Sequence, residues 1–133
     1  MIKSSQQLVA EAKSQIQEVS VSELATLLLR DHHCILIDVR EPDEYASGHV
    51  DRSVNYPRGV LEMKIHQHPA VAAQCDINAA LTALAEQPLY LMCRSGARSA
   101  LAALSLHQMG FRQVYSVAGG FQAWLDSGLP VEM

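Results

Sequence analysis

Cysteine is scarce: there are only three, Cys34, Cys75 and Cys93, widely separated and with no C-x-x-C pair. An odd, scattered set excludes a disulfide framework and a thiolate zinc site, and it suits a reducing compartment. Basic residues are also in deficit, with ten Lys and Arg against fourteen Asp and Glu and a formal charge of -4. That balance excludes a nucleic-acid binder working through bulk electrostatics. The opening MIKSSQQLVAEAKSQI has no apolar stretch of signal-peptide length, and no later run could span a bilayer. A cytoplasmic protein without a membrane partner is expected. Repeats and low-complexity tracts are absent, and so is G-x-G-x-x-G, which leaves Gly119 and Gly120 as a plain turn before a helix. His32, His33, His66 and His68 have no carboxylate or thiolate to complete a recognisable ligand set. They are expected to be exposed loop residues, and neither metal nor cofactor is expected.

What remains is an ordinary globular composition, 49% hydrophobic and 18% charged over 133 residues, enough for one domain with a real core. Residues 4–16 carry Leu8, Ala12 and Ile16 on one helical stripe. Ser20 with Glu23 forms a capping box opening a helix over VSELATLLLR. CILIDVR is a short apolar run that reads as a buried strand. Pro42 suits the first turn of a short helix and Gly48 its end, and SVNYP is a second strand. GVLEMKI has helical character, HQHPAVAAQC is an irregular connection, and Asp76 caps a helix through INAALTALAEQ. LYLMC is a strand, SALAALSLHQM a helix ended by Gly110, QVYSV a strand and FQAWLDSG a last helix. Trp124, Phe121 and Leu125 are expected on the apolar face of that last helix. Residues 1–15 are thus a helical extension to a single domain over residues 16–133.

Strands alternating with helices predict an α/β fold of three layers, a central parallel sheet with helices on both faces. Ligands gather at the carboxyl ends of such strands, and Cys93 stands there, in LYLMCRSGARSALAAL. Arg94, Ser95, Gly96, Ala97 and Arg98 follow, and a helix starts near Arg98 or Ser99. A tight loop feeding a helix start turns backbone N–H groups inward as an anion nest, and the helix dipole adds positive charge. Gly96 supplies the backbone freedom, Ala97 leaves the rim open, and Ser99 caps or donates a hydrogen bond. Each feature favours thiolate over thiol at Cys93, as a nucleophile needs. The arginine spacing is C-x4-R, one residue shorter than the C-x5-R of phosphate-cradling cysteine loops. The smaller ring suits one extra sulfur atom better than a tetrahedral oxyanion.

CRSGARSALAAL closely resembles the active-site loop and helix of the rhodanese family of sulfurtransferases. LIDVREPDEYASGHV, VNYPRGVLEMKI and VYSVAGGFQAWLDSGLPVE resemble the family's other signature stretches, in family order. The resemblance implies a rhodanese-like fold. It implies a cysteine that takes sulfane sulfur from a donor such as thiosulfate, holds it as a persulfide and passes it to a thiophilic acceptor such as cyanide or a thiol, including a protein thiol. By position Cys93 is the sulfur carrier and residues 94 to 98 the cradle, with Arg94 and Arg98 attracting a small anionic donor. A six-residue loop matches sulfurtransferase members, whereas phosphatase and arsenate-reductase relatives have seven. Two alternatives stay open: a non-catalytic sulfur-relay or protein-binding module, and a cysteine phosphatase or arsenate reductase on the same fold, which the loop length disfavours. One departure stands out: where the family usually places a glycine and a small residue, Arg52 and Ser53 follow Asp51. Arg52 in a left-handed conformation would strain the turn, and its charge is a candidate to stand near the site.

Other residues carry plainer readings. Cys34 and Cys75 are inert, and Arg94 and Arg98 could each be a solvated surface charge. Asp38 either turns toward the site and places an arginine or caps the turn that follows. Glu44 and His49 tie down local structure.

Overall fold

The computed structural model describes residues 1–133. Its centre is a five-stranded sheet in the order β1-β5-β4-β2-β3, formed by β1 (Gln17–Val19), β2 (Ile35–Asp38), β3 (Val54–Asn55), β4 (Leu89–Met92) and β5 (Val114–Val117). Every pairing is parallel. Seven α-helices join the strands: α1 (Ser5–Gln15), α2 (Val21–Arg30), α3 (Pro42–Ala46), α4 (Leu61–Lys64), α5 (Ile77–Ala85), α6 (Ala97–Met109) and α7 (Gly120–Asp126). The expected three-layer α/β architecture is therefore what forms.

Side-chain alternation along each strand divides the core in two. Ile35, Ile37, Leu89, Leu91, Cys93 and Val114 lie on one face with Leu61 of α4, Ala80 and Leu84 of α5 and Ala102, Ala103 and Leu106 of α6. Leu36, Tyr90, Met92 and Val117 lie on the other with Leu24 and Leu28 of α2 and Phe121 and Trp124 of α7. The two central strands are buried at every position, which is why they read as continuous apolar runs. Cys93, immediately after β4, keeps the phase of Leu89 and Leu91 and so faces α6.

Local signals set the helix starts. Ser20 Oγ accepts the Glu23 N–H at 3.1 Å while Glu23 Oε1 accepts the Ser20 N–H at 3.0 Å. Asp76 caps α5 through the Ala79 N–H, and α6 runs between Gly96 and Gly110, both with positive φ.

Several expectations need correction. β1 is a strand that the alternating pattern does not reveal, and only Val19 of its three residues is buried. Helix α6 begins at Ala97, earlier than Arg98 or Ser99. On α1, Ala12 is buried but Leu8 remains exposed, and Ile16 lies past the helix end. Leu125 is exposed while Phe121 and Trp124 are buried, so the apolar face of α7 is narrower than expected. His68 is buried, with 6% exposure, because the short turns Ile65–Gln67 and Pro69–Val71 fold Ile65 and Val71 into the core around it. Its Nδ1 accepts the Ala70 N–H at 3.0 Å, and burial lowers its pKa.

Arg52 does adopt the left-handed conformation, φ 72°. Its guanidinium donates to the Leu28 and Asp31 carbonyls at the end of α2, where a cation also meets the negative end of the helix dipole. It lines a cavity of about 580 Å³ with His32, Cys34, Ile35 and His68. Ile35 begins β2, so this cavity is at the amino end of the sheet, and the charge of Arg52 lies away from Cys93.

Candidate active site

The carboxyl end of β4 leads straight into the loop from Cys93 to Gly96 and then into α6. The Gly96 N–H donates to Cys93 Sγ at 3.0 Å. Gly96 has φ +100°, and a Cβ there would lie 3.4 Å from the Gly119 nitrogen and 3.6 Å from the Val117 carbonyl. Those are ordinary contact distances; it is the positive φ, which residues with a side chain rarely adopt, that calls for glycine where the loop curls back over its own sulfur. Ser99 Oγ lies 3.4 Å from the same sulfur. The N–H groups of Ser95, Ala97, Arg98 and Ser99 have no acceptor within the protein. Those of Ala97, Arg98 and Ser99 are the free donors of a helix start, where the positive end of the dipole also lies.

The loop is held from behind. The first turn of α7 donates from the Phe121 N–H to the Cys93 carbonyl at 2.8 Å and from the Gln122 N–H to the Arg94 carbonyl at 2.9 Å. Gly120, φ +57°, makes this approach feasible, since a Cβ there would stand 2.3 Å from the Cys93 carbonyl oxygen. The diglycine expected as a plain turn is thus a close backbone contact with the cysteine loop.

The two loop arginines are not equivalent. Arg98 forms a bidentate pair with Glu44 of α3, at 2.8 and 3.0 Å. That contact brings the Glu44 carboxyl down to about 2 and raises the Arg98 pKa. Arg94 is exposed and forms no ion pair. Ser95 is also exposed, Ala97 and Arg98 are partly so, and Cys93 itself is 1% exposed. Glu44 does tie down structure, accepting the Glu41 N–H as well, and His49 stacks on Tyr45 at 3.8 Å.

Asp38 is fully buried and holds Arg40, not a loop arginine: Arg40 Nη2 lies 2.8 Å from Asp38 Oδ2. Asp38 Oδ1 also accepts the Arg40 backbone N–H, closing the turn. Arg40 reaches the Gly48 carbonyl and lies 4.2 Å from the Phe121 ring centroid. The pair thus braces α7, which in turn holds the loop. Arg40, Gly120 and Ser116 are the site-supporting residues that sequence reasoning missed. The signals for them in the sequence are an arginine directly after the apolar run CILIDV, the Gly119-Gly120 pair, and a serine inside the strand QVYSV.

Residues 20–127 match the rhodanese-like domain family. The chain belongs to that family. Among rhodanese-like relatives, thiosulfate sulfurtransferase 16, chloroplastic, of Arabidopsis thaliana is 32% identical over 93% of this chain and 99% of its own. The solved polysulfide-sulfur transferase homodimer of Wolinella succinogenes is 31% identical, with a TM-score of 0.70, covering 94% of this chain and 84% of that one. A Rhodopseudomonas palustris protein, RPA3614, described as of unknown function and a possible tyrosine phosphatase, gives a TM-score of 0.81 at 28% identity, covering 99% and 96%. The family and its named members support sulfur transfer as the general chemistry of this rhodanese-like chain. No helix is long and apolar enough to cross a membrane.

Proposed function

We propose that this rhodanese-like domain is a sulfurtransferase that carries sulfane sulfur on Cys93. The observation that carries the reading is the Gly96 N–H aimed at Cys93 Sγ at 3.0 Å inside a six-residue loop. A backbone donor on sulfur stabilises the anion, and the free amides at the start of α6 offer donors to an anionic sulfur added to it. In the first half-reaction the Cys93 thiolate attacks the outer sulfur of a donor such as thiosulfate. A new S–S bond forms, the donor's S–S bond breaks, and sulfite leaves with the bonding electrons. In the second, a thiol or cyanide attacks the outer sulfur of the persulfide, and the thiolate returns. Two separate half-reactions predict ping-pong kinetics.

Arg94, Ser95, Gly96, Ala97, Arg98 and Ser99 form the cradle in this reading. Arg94 supplies the uncompensated charge that draws an anionic donor, and Asp38 acts at one remove through Arg40. Residues 1–15 are an extension to a catalytic domain over residues 16–133, acting in the cytoplasm. The C-x4-R loop is one residue short for cradling a phosphate, which argues against a phosphatase or arsenate reductase.

Incubation with thiosulfate should add the mass of one sulfur atom to the intact protein, and Cys93→Ser should abolish the gain. Sulfur found on Cys34 or Cys75, or no gain at all, would remove the proposal. Cys93-dependent hydrolysis of an aryl phosphate would replace it with the phosphatase reading.

A further inference from the structure

We infer that Ser116 is a positioning residue for Cys93: it acts through Ser99 to hold the Cys93 sulfur in its anionic form. The inference rests on Cys93 being the reacting sulfur. Ser116 lies on the same face of β5 as Val114, toward α6, and is fully buried. A polar side chain at such a position must find a partner. Its hydroxyl oxygen is 2.8 Å from Ser99 Oγ, which is 3.4 Å from Cys93 Sγ. Ser116 Oγ makes no other hydrogen bond, and Ser99 is itself fully buried. The two buried hydroxyls form a line that runs from the sheet to the sulfur.

Counting protons along that line decides its polarity. With Cys93 as a thiol there are three protons, one on sulfur and two on oxygen, for two contacts. One buried donor is then left without an acceptor, a costly state. With Cys93 as a thiolate there are two protons for the same two contacts. Ser116 O–H donates to Ser99 Oγ, and Ser99 O–H donates to the sulfur, each bond polarising the next. Ionisation therefore removes the surplus proton and satisfies the whole line. The Gly96 N–H adds a further donor to the sulfur.

The charged groups around Cys93 lie outside this line. Arg98 of α6 is paired with Glu44 of α3, Asp38 with Arg40 beyond β2, and Arg94 is exposed in the loop. The first turn of α7, residues 120–123, carries no ionisable side chain, and neither do Leu89 and Leu91 of β4. None of these groups bonds either serine.

The test is a thiolate titration. The ultraviolet absorbance of each protein is followed against pH, and that of the same variant carrying Cys93→Ser is subtracted. Ser116→Ala deletes one contact from both protonation states and acts only through the lost polarisation of the Ser99 O–H, so it should raise the midpoint by about 0.2 to 0.5 pH unit. Ser99→Ala should raise it at least as far, and the double variant no further than Ser99→Ala alone, because Ser116 has no other route to the sulfur. A Ser116→Ala midpoint equal to wild type in a folded protein overturns the inference, as do additive shifts in the double variant. If Ser116→Ala fails to fold, an unmoved Ser99→Ala midpoint overturns it. Titration reads ionisation, not sulfur transfer. A shifted midpoint in a protein that gains no sulfur from thiosulfate removes the transfer reading and leaves the serine line standing. Sulfur gain with unmoved midpoints does the reverse.

Discussion

Glu44→Gln isolates one charge at the edge of the cysteine loop. Glutamine keeps the side-chain oxygen that accepts the Glu41 N–H at the start of α3, a position where Gln serves as well as Glu. What it loses is the anion facing Arg98. The fall of the Glu44 carboxyl from 4.5 to about 2 corresponds to roughly 3 kcal/mol in a fully shielded site. The two side chains are 36% and 30% exposed, and screening by water reduces the expected contribution to about 1 kcal/mol. The sign follows from the direction. A carboxylate depressed by folding stabilises the native state fully above its ordinary value of 4.5 and loses that contribution as pH falls through about 2. Urea unfolding should therefore show Glu44→Gln less stable than wild type by about 1 kcal/mol near neutrality. The gap should narrow steadily as pH drops below 4.5. A gap of the same size from neutrality down to about pH 3 would mean that the pair contributes through packing and not through charge, and the reasoning would fail.

Arg94→Ala should raise the KM for thiosulfate about fivefold, the screened value of one exposed charge, with little effect on an uncharged persulfide donor. Arg98→Ala should instead lower stability, because its charge is already spent on Glu44. Steady-state kinetics with the two donor types distinguishes the arginines, and an equal loss with both donors in Arg94→Ala would contradict its role. Gly120→Ala places a methyl group against the Cys93 carbonyl and forces a left-handed alanine. It should cost about 2–5 kcal/mol and abolish sulfur loading. Wild-type urea unfolding and an unchanged mass gain in that variant would show that α7 does not hold the loop.

The parts legible in the sequence are those whose signal is local. β2 and β4 are buried on both faces, so each announces itself as an apolar run, and α6 follows from the glycines that bound it. The six-residue cysteine loop is likewise contiguous. What escaped notice depends on partners distant in the chain. β1 is a strand because Gln17–Val19 pairs with Tyr115–Val117, and three residues with one buried side chain carry no period of their own. Arg98 and Glu44 meet across 54 positions. Whether an arginine is a free charge or a neutralised one is settled only when the sheet order brings α3 beside α6. Asp38 shows the same limit, since its turn was legible but the arginine it holds was not. His68 departs from the expected exposed loop residue because Ile65 and Val71 on either side draw the turn into the core.

The two amides that α7 directs at the cysteine loop also limit how that loop can rearrange. With the Cys93 and Arg94 carbonyl oxygens both engaged, neither peptide plane can rotate to turn its oxygen toward the sulfur without giving up a bond. The electrical polarity of the floor beneath the sulfur is therefore built in during folding. In the proposed sulfur transfer, arriving and departing anions would meet the same arrangement of dipoles, and no step would have to wait for the backbone to invert.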